Sequence, residues 1–313
     1  MMRNSVRYPA VAGQFYPADK AVLQDQINSY LDRSEKIINH TSEIINLLIV
    51  PHAGYDYSGA VAAAGFKQIK NQRIKRVILI GCSHQTHFEG AAIDDNDFWL
   101  TPLGKVPVDK KFAESLDFAR DNKIFFSSKP HIKEHSLEVQ LPFLQTVLKD
   151  FKIVPILLGK INNLAIQQLA RLIARLNTRS VFDEALDGFN TETLIIISSD
   201  LSHYPPYDIA NQVDNETTKS ILSGDINNFE QTISKQMACG YENLVTCACA
   251  NTAIKLGMAI ASKFTFKVKG KYNTLKVNAA GWRLIKYANS GDVSGIKDQV
   301  VGYAAIAFSL PSF

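Results

Sequence analysis

The sequence predicts an α/β protein, a three-layer αβα sandwich around a mostly parallel, mixed sheet. Three observations carry that expectation. Short, continuously apolar runs recur along the chain at strand length, as in NLLIV (46–50), RVILIG (76–81), KIVPILL (152–158) and TLIIISS (193–199). Strands buried on both faces read this way, without polar alternation. Amphipathic helical segments separate these runs, which is the pattern of a parallel sheet covered on both sides. The closing segments FTFKVKG (264–270), WRLIKYA (282–288) and VVGYAAIAFSL (300–310) follow one another without helices between them, so they predict an antiparallel edge.

Between the strands, SGAVAAAGFKQIK (58–70) predicts a helix of small residues, and 109–120 a second. The stretch 135–150 places Leu137, Leu141, Leu144 and Leu148 on one helical face. Further helices are expected over 162–176, 207–222, 226–236 and 243–261. Residues 178–192 read as a surface insertion. No Pro/Ser-rich linker or repeat divides the chain, so residues 1–313 are expected to form a single domain.

Composition narrows the function classes. Of 313 residues, 46% are hydrophobic and 20% charged, the balance of a globular protein with a full-sized core. The net charge of +4 is scattered, and its densest cluster, RIKR (73–76), precedes a strand without aromatic or glycine accompaniment. That is a solvated sheet edge, so no nucleic-acid partner is expected. No apolar run reaches bilayer length, and the first residues lack the apolar core of a signal peptide, so no membrane association is expected. The four cysteines, Cys82, Cys239, Cys247 and Cys249, form no CxxC. Cys247 and Cys249 lie two apart in a helical-looking segment, pointing to different faces. These features fit free thiols in the reducing cytoplasm.

In open α/β sheets ligands bind beyond the carboxyl ends of the strands. Three of the four buried runs end in loops bearing histidine: NLLIV-PHAGY, RVILIG-CSH and LIIISS-DLSHY. His52, His84, Asp200 and His203 are thus expected at one edge of the sheet. Imidazoles on rigid strand ends suit a divalent transition metal. Two histidines need a third ligand, and Asp200, His203 and a cysteine thiolate are the candidates. Cys239, at the end of one helix and just ahead of another, is one such thiol; a buried apolar thiol is the plainer reading. Glu134, His135 and Glu138 cluster at a helix start. They read either as a cap with an acidic turn or as partners that orient the ligand histidines by hydrogen bonds. His87 reads as an exposed loop residue beyond the site, and His40 as surface. Tyr16, Tyr55, Tyr57, Tyr204 and Tyr207 lie in or near these loops, where aromatic walls could exclude water from a metal or hold a flat substrate.

Seven segments read together carry a resemblance: RYPAVAGQFYP (7–17), PHAGYDYSG (51–59), GCSHQTHFEGAA (81–92), WLTPLGKVPVD (99–109), EHSLEVQLPFL (134–144), SSDLSHY (198–204) and SGDVSGIKDQVVGYAAIAF (290–308). In this order, over nearly the whole chain, they resemble the Memo family, which includes protein B of the AmmeMemoRadiSam system. That family is similar in fold to the class III extradiol dioxygenases. The resemblance implies a mononuclear metal centre, with iron first and copper or zinc as alternatives, on His52, His84 and Cys239. It implies an acid/base role for His203 with Asp200 beside it, and support from Glu134 and His135; the loop tyrosines Tyr16, Tyr55 and Tyr204 are the residues expected to line the substrate pocket. Two departures stand out: Cys82 replaces the proline usual before the serine and histidine of GPSH, and Tyr241-Glu242-Asn243 follow Cys239-Gly240 where the family commonly has a pair ending in proline.

The chemistry expected first is that of a dioxygenase-like redox enzyme with an unknown substrate. A metal-dependent hydrolase is the second expectation. The third is a metal-stabilised scaffold that binds a small molecule, a peptide or partner proteins of the AmmeMemoRadiSam system, a radical-SAM enzyme among them.

Overall fold

The computed structural model describes residues 5–38, 43–116, 124–177, 192–264, 266–270, 273–277 and 281–311. In chain order the strands are β1 (Val6–Arg7), β2 (Glu43–Val50), β3 (Arg76–Cys82), β4 (Ala91–Ile93), β5 (Phe98–Thr101), β6 (Gly104–Pro107), β7 (Ile124–Phe126), β8 (Lys152–Leu158), β9 (Thr193–Ser198), β10 (Phe266–Gly270), β11 (Asn273–Val277), β12 (Trp282–Asn289) and β13 (Gly302–Pro311). The helices are α1 (Lys20–Asp32), α2 (Tyr55–Ile69), α3 (Lys110–Ser115), α4 (Leu141–Val147), α5 (Asn163–Leu176), α6 (Tyr207–Leu222), α7 (Ile226–Ala238), α8 (Asn251–Ala261) and α9 (Ser290–Ser294).

The main sheet has eight strands in the order β12-β13-β2-β9-β3-β8-β4-β7. Its centre, β2, β9, β3 and β8, is parallel. β13 runs antiparallel to β2, and β12 to β13; β4 runs antiparallel to β8 on the other side. The expected mixed, mostly parallel α/β sandwich is therefore present. The expected antiparallel edge is made by β12 and β13 alone, because β10 pairs with β11 in a separate two-stranded sheet. A third small sheet, β1-β5-β6, was not expected.

Each central strand feeds two cores, since alternate side chains point to opposite faces. Ile78 and Ile80 of β3 pack with α5 and α8 residues such as Leu169 and Ile254, whereas Val77 and Leu79 pack with Leu23, Ile27 and Phe66 of α1 and α2. Helix α8 approaches the sheet closely at Gly257, where an added Cβ would lie 2.8 Å from Ile197 Cγ1. Helix α1 was not expected, although its signal is plain: Asp19 accepts from the Ala21 and Val22 N–H groups, and Leu23, Ile27 and Leu31 recur on the buried face.

Two helix boundaries shift from expectation, with consequences for the site. The segment 135–150 is not one helix but a 3-10 turn, Glu138–Gln140, leading into α4, whose first turn contains Pro142. The expected helix over 243–261 begins only at Asn251, so Cys247 and Cys249 sit in the loop before it. Residues 178–191 of the expected insertion, His40, and 117–120 of the expected second helix lie outside the described residues.

Candidate metal centre

Strands β2, β9 and β3 are neighbours, so the loops after them open side by side at one edge of the sheet. His52 and Asp200 each stand two residues past a strand end, after β2 and β9; His84 stands two past β3. Register converts this sequence regularity into a cluster. The His52 and His84 rings lie 5.1 Å apart, and His135 lies 5.4 Å from His52 and 4.7 Å from His84.

His52 is almost fully buried, at 2% exposure. Asp200 Oδ1 accepts from its backbone N–H at 2.7 Å, which ties the β2 loop to the β9 loop. Its ring Nδ1 lies 3.1 Å from Ser198 Oγ. The Ser198 hydroxyl donates its one proton to the Ser136 carbonyl and also accepts from Gln140 Nε2. Toward His52 it can act only as acceptor, so Nδ1 carries the proton. Nε2 then faces Cys249 Sγ, 3.2 Å away.

His84 repeats the arrangement with a carboxylate. Glu134 Oε1 accepts from His84 Nδ1 at 2.9 Å, and Glu134 Oε2 accepts from the His84 backbone N–H at 2.6 Å. Glu134 Oε1 also accepts from the His135 and Ser136 N–H groups. Burial alone would raise the Glu134 pKa, but the hydrogen bond and charge of His84 and the donated N–H groups hold it at about 2. A carboxylate behind a histidine is the arrangement that orients a metal-binding imidazole. The remaining nitrogen, Nε2, lies 3.4 Å from Cys82 Sγ.

Electrostatics at the centre favour a cation. Burial opposes charging His52, yet Cys249 and then Asp200 carry its pKa up to about 9. Burial likewise opposes charging His84, and its bonds to Cys249 and Glu134 raise it to about 10. His135 goes the other way, down to about 4, through burial and then the charge of His52. The Asp200 backbone N–H donates to Cys249 Sγ at 3.2 Å, a bond suited to a thiolate. Two sets of donors, His52 with His84 and His135, and Cys82 with His84 and Cys249, each lie within 4.8 Å of one another. Bare imidazole nitrogens beside a supported sulfur fit a transition metal.

The structure does not bring Cys239 to the other expected donors. Cys239 is exposed at the C-terminus of α7, and it joins neither donor set among the described residues. Gly240 follows with φ of +66°, the left-handed residue that commonly ends a helix, so the Cys-Gly pair here is a helix stop. The sulfur beside His52 belongs to Cys249. The Tyr241-Glu242-Asn243 departure accordingly follows the helix stop, and Cys82 is the departure that touches the donors.

Other expected residues divide. His203 Nε2 lies 4.0 Å from Asp200 Oδ2, shut from solvent with no hydrogen-bond partner among the described residues. His135, expected as support, stands among the donors themselves. Glu138 is not part of the cluster; buried, it pairs with Arg7 and accepts from Tyr16 and the Ala10 and Val11 N–H groups. Tyr16 and Tyr55 are buried, with their hydroxyls bound to Glu138 and to the Val139 carbonyl. Tyr204 is exposed beside His203. None of the three lines the cleft next to the donors, which has a volume of about 510 Å³ and is lined by Cys82, Thr86, His87, Phe88, Lys160 and Cys249, among others.

Comparison with known proteins agrees with the motif resemblance. A MEMO1 family protein of Caldivirga maquilingensis is 33% identical over 96% of this chain and 98% of its own length. Another, from Methanobrevibacter smithii, is 35% identical over 97% and 99%. The crystal structure of the uncharacterized protein JW3007 from Escherichia coli K12 aligns with 84% of this chain and 99% of its own at a TM-score of 0.46 and 11% identity. The family model described as Memo-like protein matches residues 7–307, and the chain belongs to the Memo family.

Proposed function

We propose that the protein is a mononuclear metal-dependent redox enzyme, with iron or copper held by His52, His84 and Cys249 and the substrate entering from the neighbouring cleft. The observation that carries this reading is the pair of imidazoles whose Nδ1 atoms are engaged by Ser198 and Glu134 while His52 Nε2 faces the Cys249 sulfur. When bound, the ion supplies one-electron chemistry that no side chain here can supply. His203 holds or accepts a proton at Nε2, which has no competing partner and lies beside Asp200. Asp200 fixes the His52 loop and orients the proton carrier. Cys82, Phe88 and Lys160 line the approach. A cytoplasmic location accompanies this reading, because the described cysteines are free thiols. No helix among the described residues is long and apolar enough to cross a membrane.

The test is metal analysis of anaerobically purified protein, then oxygen consumption by iron- and copper-loaded samples with catechols and thiols. Oxygen uptake that requires metal is expected, with His203→Ala lowering turnover by about 10²-fold or more while retaining the metal. Loaded protein without turnover on either class, but with hydrolysis of esters or amides when zinc-loaded, would transfer the same residues to a hydrolase.

A further inference from the structure

Cys82 packs part of its side chain against the core, and its sulfur also faces the centre. It ends β3, where its backbone is held on both sides: in register with Leu158 of β8, and by the Ser136 hydroxyl, which donates to its carbonyl at 3.0 Å. Its side chain is half-buried, in contact with the cleft on one side and with His84 on the other. Its sulfur lies 3.4 Å from His84 Nε2, and it shares with His84 and Cys249 a set of donors all within 4.8 Å.

Those separations can be compared with what a four-coordinate ion requires. Bonds of about 2.0–2.1 Å to nitrogen and about 2.3 Å to sulfur give tetrahedral edges of roughly 3.3–3.8 Å. The Cys82–His84 separation of 3.4 Å falls in that range, and the Cys249–His52 separation of 3.2 Å is close to it. We propose that Cys82 is a second thiolate donor to the centre: Cys82, His84 and Cys249 already form one close set, and His52 adjoins it through Cys249, so that binding an ion draws two imidazoles and two thiolates together. This rests on the metal-centre reading above and sharpens it. Two thiolates shift preference toward copper(I) within the iron-or-copper reading, and zinc, which takes the same donors, serves as a redox-inert probe of the site.

Zinc-loaded protein, kept under reductant, is examined by X-ray absorption for sulfur neighbours per metal and by competition with a chromophoric chelator for affinity. Wild type is expected to show two sulfurs, and Cys82→Ser one. Cys82→Ser is expected to lower zinc affinity by about tenfold or more. Cys82→Ala serves as a second variant, and thermal melts of the metal-free proteins show that both fold. One sulfur in wild type, unchanged in Cys82→Ser, would overturn the role of Cys82 and leave the centre standing. Failure of wild type to bind zinc, or affinity unaltered by His52→Ala, would overturn the centre and this inference with it.

Discussion

The Ser198 hydroxyl has one proton to give, and the Ser136 carbonyl takes it. That single allocation fixes the His52 tautomer, so Ser198→Ala is expected to leave the fold intact and weaken metal binding by about 10–100-fold, read by chelator competition. Equal affinity in the variant would mean that ring packing alone orients His52. The two cysteines separate even more sharply. Cys249→Ser is expected to lose bound metal in elemental analysis, while Cys239→Ser keeps the wild-type content; the reverse result would return the ligand to the helix stop. The meeting of His52, His84 and Asp200 at one sheet edge was legible in the sequence because a residue just past a buried strand has little freedom in where it points. Cys249 was not. It precedes Ala250, without the glycine that made Cys239-Gly240 resemble the family motif, and the apolar pattern extended the following helix backward over it. What places its sulfur is a long-range contact: the Cys249 and Asp200 main chains meet, with the Cys249 N–H donating to the Asp200 carbonyl at 3.3 Å. No local pattern encodes that pairing.

At the scale of elements, the segment around the 3-10 turn Glu138–Gln140 supports the centre from behind. Gln140 Nε2 bridges the Pro51 carbonyl after β2 and the Ser198 hydroxyl at the end of β9, joining two strand ends that local sequence cannot pair. Glu138 faces the other way and anchors the N-terminal segment through Arg7, Tyr16 and two backbone N–H groups. The same acidic cluster therefore has two jobs, which its position at a helix start could not separate: Glu134 supports a metal-binding histidine, and Glu138 closes a buried ion pair. Glu138→Gln leaves Arg7, only 3% exposed, without its counter-charge. Breaking a buried pair from one side costs about 3–5 kcal/mol, so a large loss in urea-unfolding stability is expected. A loss under about 1 kcal/mol would mean that the His131 and Glu134 carbonyls, which also accept from Arg7, suffice to hold it. The parallel centre of the sheet was legible because continuous apolar runs leave few alternatives. The short strands β4 to β7, three or four residues each, carry too little pattern to be found.

Across the whole molecule, stability is tied to pH through a buried carboxyl outside the donor sets. Asp214 of α6 is fully buried; its Oδ1 accepts from the Ser202 N–H at 2.9 Å and its Oδ2 from the Tyr287 hydroxyl at 2.8 Å. It thereby fastens α6 both to the loop after β9 and to the edge strand β12. Burial, only partly offset by the donated bonds, raises its pKa to about 7. Because the folded value lies above the unfolded one, the folded state binds this proton more tightly. The resulting stabilisation is complete below about pH 4 and is lost as pH rises through about 7, a difference of roughly 2–4 kcal/mol. Asp214→Asn removes the ionisation and can keep both contacts, since the Tyr287 hydroxyl can turn to accept from the amide while the amide oxygen accepts from Ser202. Urea melts at intervals between pH 4 and 8 should therefore show wild type losing stability relative to Asp214→Asn as pH rises, with the gap opening mainly above pH 5. Parallel curves would show that the Asp214 carboxylate is already compensated inside the fold. In that event the Ser202 and Tyr287 bonds outweigh the cost of burying its charge.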